Sequence, residues 1–148
     1  MRSSPFRLAL LAVVLVITLG ACGCPVTKVR EAAARQQRMN SIKIIGLAYL
    51  NFTDEHQGQA PQQAADLQKY TQGDPQANAL LTDGSFVFIY GVSVPDMTKQ
   101  KGLAGTVLGY DKTVETDKGV VLMGDAAPQY VAADEFKTMT KATPAPKK

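Results

Sequence analysis

Cysteine and histidine are scarce in this sequence: its 148 residues hold two cysteines, Cys22 and Cys24, and a single histidine, His56. That is too few cysteines for a disulfide framework, and no zinc-ligand spacing is present. Phosphate-cradling glycine loops, a serine-centred elbow and internal repeats are missing as well. Charge of one sign is also in short supply, with 16 basic residues against 13 acidic ones. Losing Arg2 and Arg7 with the leading segment would leave 14 against 13. A nucleic-acid reader shows a strongly basic field or stripe, so that partner class is excluded. The length allows one domain and little more.

Long apolar runs are limited to one, Leu8 to Leu19 (LALLAVVLVITL), preceded by the positive residues Arg2 and Arg7 and followed by the small residues Gly20 and Ala21. These are the three parts of a secretory signal, and the run is short of the roughly 20 residues that cross a bilayer. Leu19-Gly20-Ala21-Cys22 resembles a lipobox, where lipid is attached to the cysteine thiol and the chain is cut before it. The expected division is a lipoprotein signal peptide over 1–21, a lipidated linker over 22–27, a domain over 28–140 and a disordered tail over 141–148. An ordinary signal peptide and an uncleaved anchor are the other readings of the same run. With Cys22 acylated, each buried methylene would contribute about 0.8 kcal/mol to membrane attachment. Cys24 then reads as a surface thiol near the anchor, with an intermolecular disulfide as the alternative in an oxidising compartment. Gly23 stands where enteric lipoproteins retained at the inner membrane carry Asp, which favours the outer membrane with the domain facing the periplasm.

From Lys28 to His56 the pattern is helical, with Thr27 as N-cap, Glu31 in the first turn, and Gly58 and Pro61 as the stop. Its first half is Ala, Arg and Gln and reads as a solvated stalk. There Lys28, Arg30, Arg35, Arg38 and Lys43 form either a solvated face or a contact for anionic headgroups. Its second half carries Met39, Ile42, Ile45, Tyr49 and Phe52 at helical spacing, widened by Ile44, Leu47, Ala48 and Leu50, and should lie on a core. Gly46 costs about 1 kcal/mol relative to Ala in a helix, which points to another element approaching closely. Further on, Gln62 to Tyr70 reads as a short helix, and Asp74-Pro75 starts another. Strands are expected over Ser85–Tyr90, Thr106–Tyr110, Gly119–Met123 and Gln129–Ala132. Gly91–Gly102 reads as a loop, Asp111–Lys118 as a polar connection and Asp134–Met139 as a last helical turn. The fold class is α+β.

Two stretches carry a resemblance. Val29-Arg30-Glu31-Ala32-Ala33-Ala34-Arg35 and Met39-Asn40-Ser41-Ile42-Lys43-Ile44-Ile45-Gly46-Leu47-Ala48-Tyr49, followed by Phe52 to Pro61, resemble the helix of a large pseudopilin-like family. That family is abundant in planctomycete-type bacteria, and its members are labelled type II secretion system G-like proteins. Val120 to Asp125 and Asp134-Glu135-Phe136 resemble its C-terminal hairpin, with Glu115 in place of a His, and Ala126 and Ala127 in place of Gly-His. The resemblance implies a pilin-like fold, a long N-terminal helix packed on a small antiparallel sheet. It also implies an oxygen-ligand calcium loop, for which Asp111, Glu115, Asp117 and Asp125 are the candidates. Lys112 and Lys118 interleave with these acids, so a solvated hairpin tip is the competing reading. The departure lies at the start. Pilins keep a long apolar helix with a Glu near its beginning, whereas here a helix opening with Lys, Arg and Gln follows Cys22. Such a helix cannot enter a filament core without burying unpaired charge.

His56, beside Asp54 and Glu55, lacks a nucleophile motif, and the helix dipole alone favours a histidine at a C-terminus. The first expectation is therefore a non-enzymatic, lipid-anchored pseudopilin-like domain with no cofactor beyond lipid on Cys22, serving an envelope protein or secretion apparatus. A ligand-binding lipoprotein, with Gly91–Gly102 shaping a pocket, is the second, and a hydrolase the third. Metabolic labelling with a fatty-acid analogue should mark the wild type and leave Cys22→Ser unlabelled.

Overall fold

The computed structural model describes residues 25–144. The expected signal peptide 1–21, Cys22, Cys24 and the last residues of the expected tail lie outside them. The chain divides into two units, one ending at Arg35 and one starting at Gln36. That boundary falls inside the single domain expected from Lys28. In the first unit the described side chains, Thr27 to Arg35, are all exposed. Helix α1 runs from Pro25 to Glu55, so Pro25 to Thr27 are helical where a linker was expected, and Thr27 is not a cap. Proline suits a first helical turn because its missing N–H would have no helical partner there.

The second unit is α+β, with α1 packed on a small sheet. Ile42, Ile45, Ala48 and Tyr49 are buried, the helical spacing that brings one stripe to the core. Leu47, expected on that stripe, is 45% exposed, because it sits on the outer side between exposed Lys43 and Asn51. Past Glu55 the chain turns out of the helix through Gln57 and Gly58, whose φ angles are 55° and 83°. The Gly58 N–H donates to the Thr53 carbonyl at 2.7 Å. This left-handed ending satisfies carbonyls that the helix leaves open.

Two short helices follow, α2 (Ala64–Thr71) and α3 (Pro75–Thr82). The Asp66 carboxylate accepts the Gln62 and Gln63 N–H groups at the start of α2. Asp74 caps α3 by accepting from the N–H groups of Gln76 and Ala77 at 2.8 and 2.9 Å. Strand β1 covers only Phe86–Phe88, the middle of the run expected to be extended. Helix α4 (Val94–Gln100) occupies the expected loop. Its signal was present in Ser93 and Asp96, which cap each other's backbone N–H groups; Pro95 reads as a loop marker but sits in the first turn, where it is tolerated.

A single 3-10 turn (Leu103–Gly105) leads into β2 (Thr106–Asp111). Another (Lys112–Glu115) replaces the expected polar connection, and β3 (Lys118–Met123), β4 (Pro128–Ala132), α5 (Ala133–Thr138) and β5 (Thr140–Lys141) complete the described chain. The order β1-β2-β3-β4 is antiparallel throughout, while β5 pairs parallel with Thr106 and Val107 of β2. β1 pairs with Gly109 to Asp111, so β1 and β5 divide one edge of β2 between them. The tail expected from Lys141 is therefore ordered at its start: Ala142 is buried and its N–H donates to the Val107 carbonyl at 2.9 Å.

Both faces of the sheet are covered. Phe86, Phe88, Leu108, Val120 and Leu122 meet α1 and the short helices. Val107, Val121, Met123 and Val131 meet Val114 and Phe136 on the other side. The expected close approach at Gly46 is found. A Cβ there would lie 2.7 Å from the Ala126 Cβ, 2.8 Å from its Cα and 2.9 Å from Leu122 Cδ1. Ala126 belongs to the β3–β4 turn and takes φ 64°, a left-handed conformation that favours glycine. We expect Gly46→Ala to destabilise the protein by about 1–2 kcal/mol, because overpacking outweighs the gain in helix propensity. Leu47→Ala, on the outer side of the same turn, should change stability far less. Urea denaturation of both variants reads the difference.

Candidate functional site

The four acids proposed as calcium ligands are not brought together. Asp111 ends β2 and is buried, with its side chain 3% exposed. Arg38 of α1 donates to it from Nε (2.9 and 3.0 Å to the two carboxylate oxygens) and from Nη2 (2.6 Å). Asp111 Oδ2 also accepts the Val120 N–H at 3.1 Å, and Arg38 Nη2 reaches Ser85 Oγ at 3.2 Å. These contacts tie α1 to β2, β3 and the residue before β1, and Arg38 has its pKa raised chiefly by the hydrogen bond to Asp111. A carboxylate held this way is a structural anchor and not an open ligand. Glu115 and Asp117 are exposed beside the second 3-10 turn. The Tyr110 hydroxyl next to Glu115 has its pKa raised, first by burial and then by that carboxylate. Asp125 lies beyond the far end of the six-residue β3, about 20 Å of strand away, and accepts the Ala127 N–H. Among the described residues no group of three His, Cys, Asp or Glu side chains is placed to hold a metal ion.

His56 is exposed at the end of α1. Its ring stacks on Phe52 with centroids 4.0 Å apart and 13° between planes, and Nδ1 lies 2.8 Å from the Phe52 carbonyl. Neighbouring Glu55 accepts from Tyr70 Oη at 2.6 Å and Lys69 Nζ at 3.1 Å. The Tyr70 and Lys69 hydrogen bonds lower the Glu55 pKa. These contacts fasten α2 to the end of α1 and give His56 no nucleophile.

A cleft of ≈ 720 Å³ lies away from the acids, and the part of its wall that the sequence did not foresee is the segment after α1. The segment after α1 (Gly58 to Ala60, with Gln62) forms one wall, the turn from Tyr90 to Ser93 another, and Pro144 closes one end. Gly91 takes φ 77° and its N–H donates to the Pro61 carbonyl at 2.8 Å. A Cβ on Gly91 would stand 3.8 Å from both Gln62 Oε1 and Pro144 Cβ. Tyr90 is half-buried with its ring 4.9 Å from that of Phe88, and burial, followed by Asp66, raises its pKa. The expectation that residues from Gly91 onward shape a pocket thus holds for Gly91 and Ser93. The rest of that segment is largely α4, whose Met97 points into the core.

Removing Arg38 leaves a buried carboxylate with only the Val120 N–H, so Arg38→Ala should cost about 3 kcal/mol. Arg38→Lys should recover only part of this, since an ammonium cannot make the forked contact; urea denaturation measures both. Comparison with protein-family models, curated proteins and solved structures gives no match for this chain.

Proposed function

We propose that this chain is an envelope lipoprotein held on a membrane by lipid on Cys22, facing the periplasm, with the outer membrane favoured. In this reading its α+β domain is a pseudopilin-like module that works by binding another envelope protein, as part of a secretion apparatus or of the envelope itself, and not by catalysis. The observation that carries it is the character of α1. A filament subunit needs an apolar N-terminal helix, but the exposed first half of α1 holds Lys28, Arg30, Glu31, Arg35, Gln36 and Gln37, with Val29 its one large apolar residue between Thr27 and Gln37. No helix among the described residues is long and apolar enough to cross a membrane. A polar helix of this kind suits a spacer behind an acyl anchor, because it stays hydrated between bilayer and domain. The resemblance of Val29 to Tyr49 to the pseudopilin-like helix supports the same reading.

A second reading, a ligand-binding lipoprotein, is favoured by the cleft at Tyr90 and Gly91, which is within the size range of small-molecule sites. Cross-linking in intact cells, followed by recovery of tagged wild type and Cys22→Ser, tests the first reading. The wild type is expected in the membrane fraction, joined to one recurrent envelope protein that the soluble Cys22→Ser form fails to capture. Recovery of both forms without any cross-linked partner would remove the protein-interaction role.

A further inference from the structure

We propose that the cleft beside Tyr90 binds a neutral oligosaccharide, an inference that rests on the ligand-binding reading and names its ligand class. The wall chemistry carries it. None of the side chains lining the cleft is charged, so an ionic ligand would leave water without a counter-charge. The two nearby carboxylates are already occupied: Asp66 accepts backbone N–H groups of Gln62 and Gln63, and Asp96 accepts from Ser93. The lining also lacks Leu, Ile, Val, Met and Phe, so a fatty ligand would gain little from burial.

What the cleft does offer is a set of neutral donors and acceptors at defined places. Among the described residues the Tyr90 hydroxyl has no hydrogen-bond partner, while its ring is held against Phe88. The Gln62 amide is oriented, because Nε2 donates to the Ala60 carbonyl at 2.9 Å, and this leaves Oε1 as an acceptor. Gln59 is exposed and supplies a second amide, with both donors and an acceptor. Hydroxyl-rich rings match such a set, since each hydroxyl both gives and receives a hydrogen bond, and a tyrosine ring presents an apolar face to the sugar's C–H groups. The cleft is open to solvent and as large as a drug-sized site, which suits a section of a longer chain. An extended peptide is disfavoured. No strand lines the cleft, and the Gly91 N–H is already given to Pro61, so main-chain pairing has no edge to use.

The test uses the full-length protein in detergent, titrated calorimetrically with maltohexaose, cellohexaose and chitohexaose, and separately with an uncharged proline-rich hexapeptide. Saturable binding of at least one saccharide is expected. Tyr90→Phe and Gln59→Ala should each weaken it about fivefold, the worth of one neutral hydrogen bond, with unchanged melting temperatures. Saccharide affinity that is the same in both variants would overturn the site. Binding of the peptide alone, weakened by the same variants, would overturn the ligand class while leaving the ligand-binding reading intact. Silence from every probe at millimolar concentration would overturn both, and leaves the tether at Cys22 unaffected.

Discussion

The forked contact between Arg38 and Asp111 joins the part of α1 that lies in the second unit to the sheet. Asp111 sits at the junction of β2 and the following 3-10 turn, and its carboxylate receives the guanidinium from one side and the Val120 N–H from the other. Taking such a charge out of water is costly unless it is paired and hydrogen-bonded. Here the pairing is geometric as well as electrostatic, because a planar guanidinium meets both carboxylate oxygens only in one orientation. That orientation is compatible with one rotation of α1, the rotation in which Ile42, Ile45 and Tyr49 face the sheet and Gly46 lies where the turn at Ala126 leaves no room for a side chain.

Tyr49 extends the same logic toward the cleft. Its hydroxyl donates to the Val92 carbonyl at 2.9 Å inside the core, and burial raises its pKa. The bond holds the segment after β1 against the helix. Tyr90 and Gly91, just before Val92, are thereby presented beside the chain that leaves α1 at Gly58. The cleft is a consequence of how α1 ends: the left-handed turn at Gln57 and Gly58 redirects the backbone, and Gly91 keeps the opposite wall free of a side chain. On the other face of the sheet, Lys141 lies over the rings of Tyr110 and Phe136 at 5.3 and 4.4 Å, a contact that helps to close the second core.

Much of the architecture was legible in the residues. The helical spacing of Ile42, Ile45 and Tyr49, the Asp74-Pro75 helix start and the strands around Val107 and Val121 all rest on signals that act over a few residues. The glycine at 46 announced a close neighbour, though not which one. The misreadings have local causes too. Pro95 masked a helix that Ser93 and Asp96 begin. Lys141 looked like the start of a polar tail because its pairing partner, Val107, is remote in the chain.

By itself the sequence determined that a helix starts at Asp74-Pro75 and which stripe of α1 is apolar, since periodicity and capping are properties of neighbouring residues. Only the tertiary structure decided that Asp111 pairs with Arg38, that Leu47 faces outward and that Tyr90 borders a cleft with Gln59 and Gln62. Each of these depends on groups far apart in the chain, 73 residues in the case of Arg38 and Asp111. Charge burial and close packing select such partners after the elements have come together, and no local pattern encodes that choice.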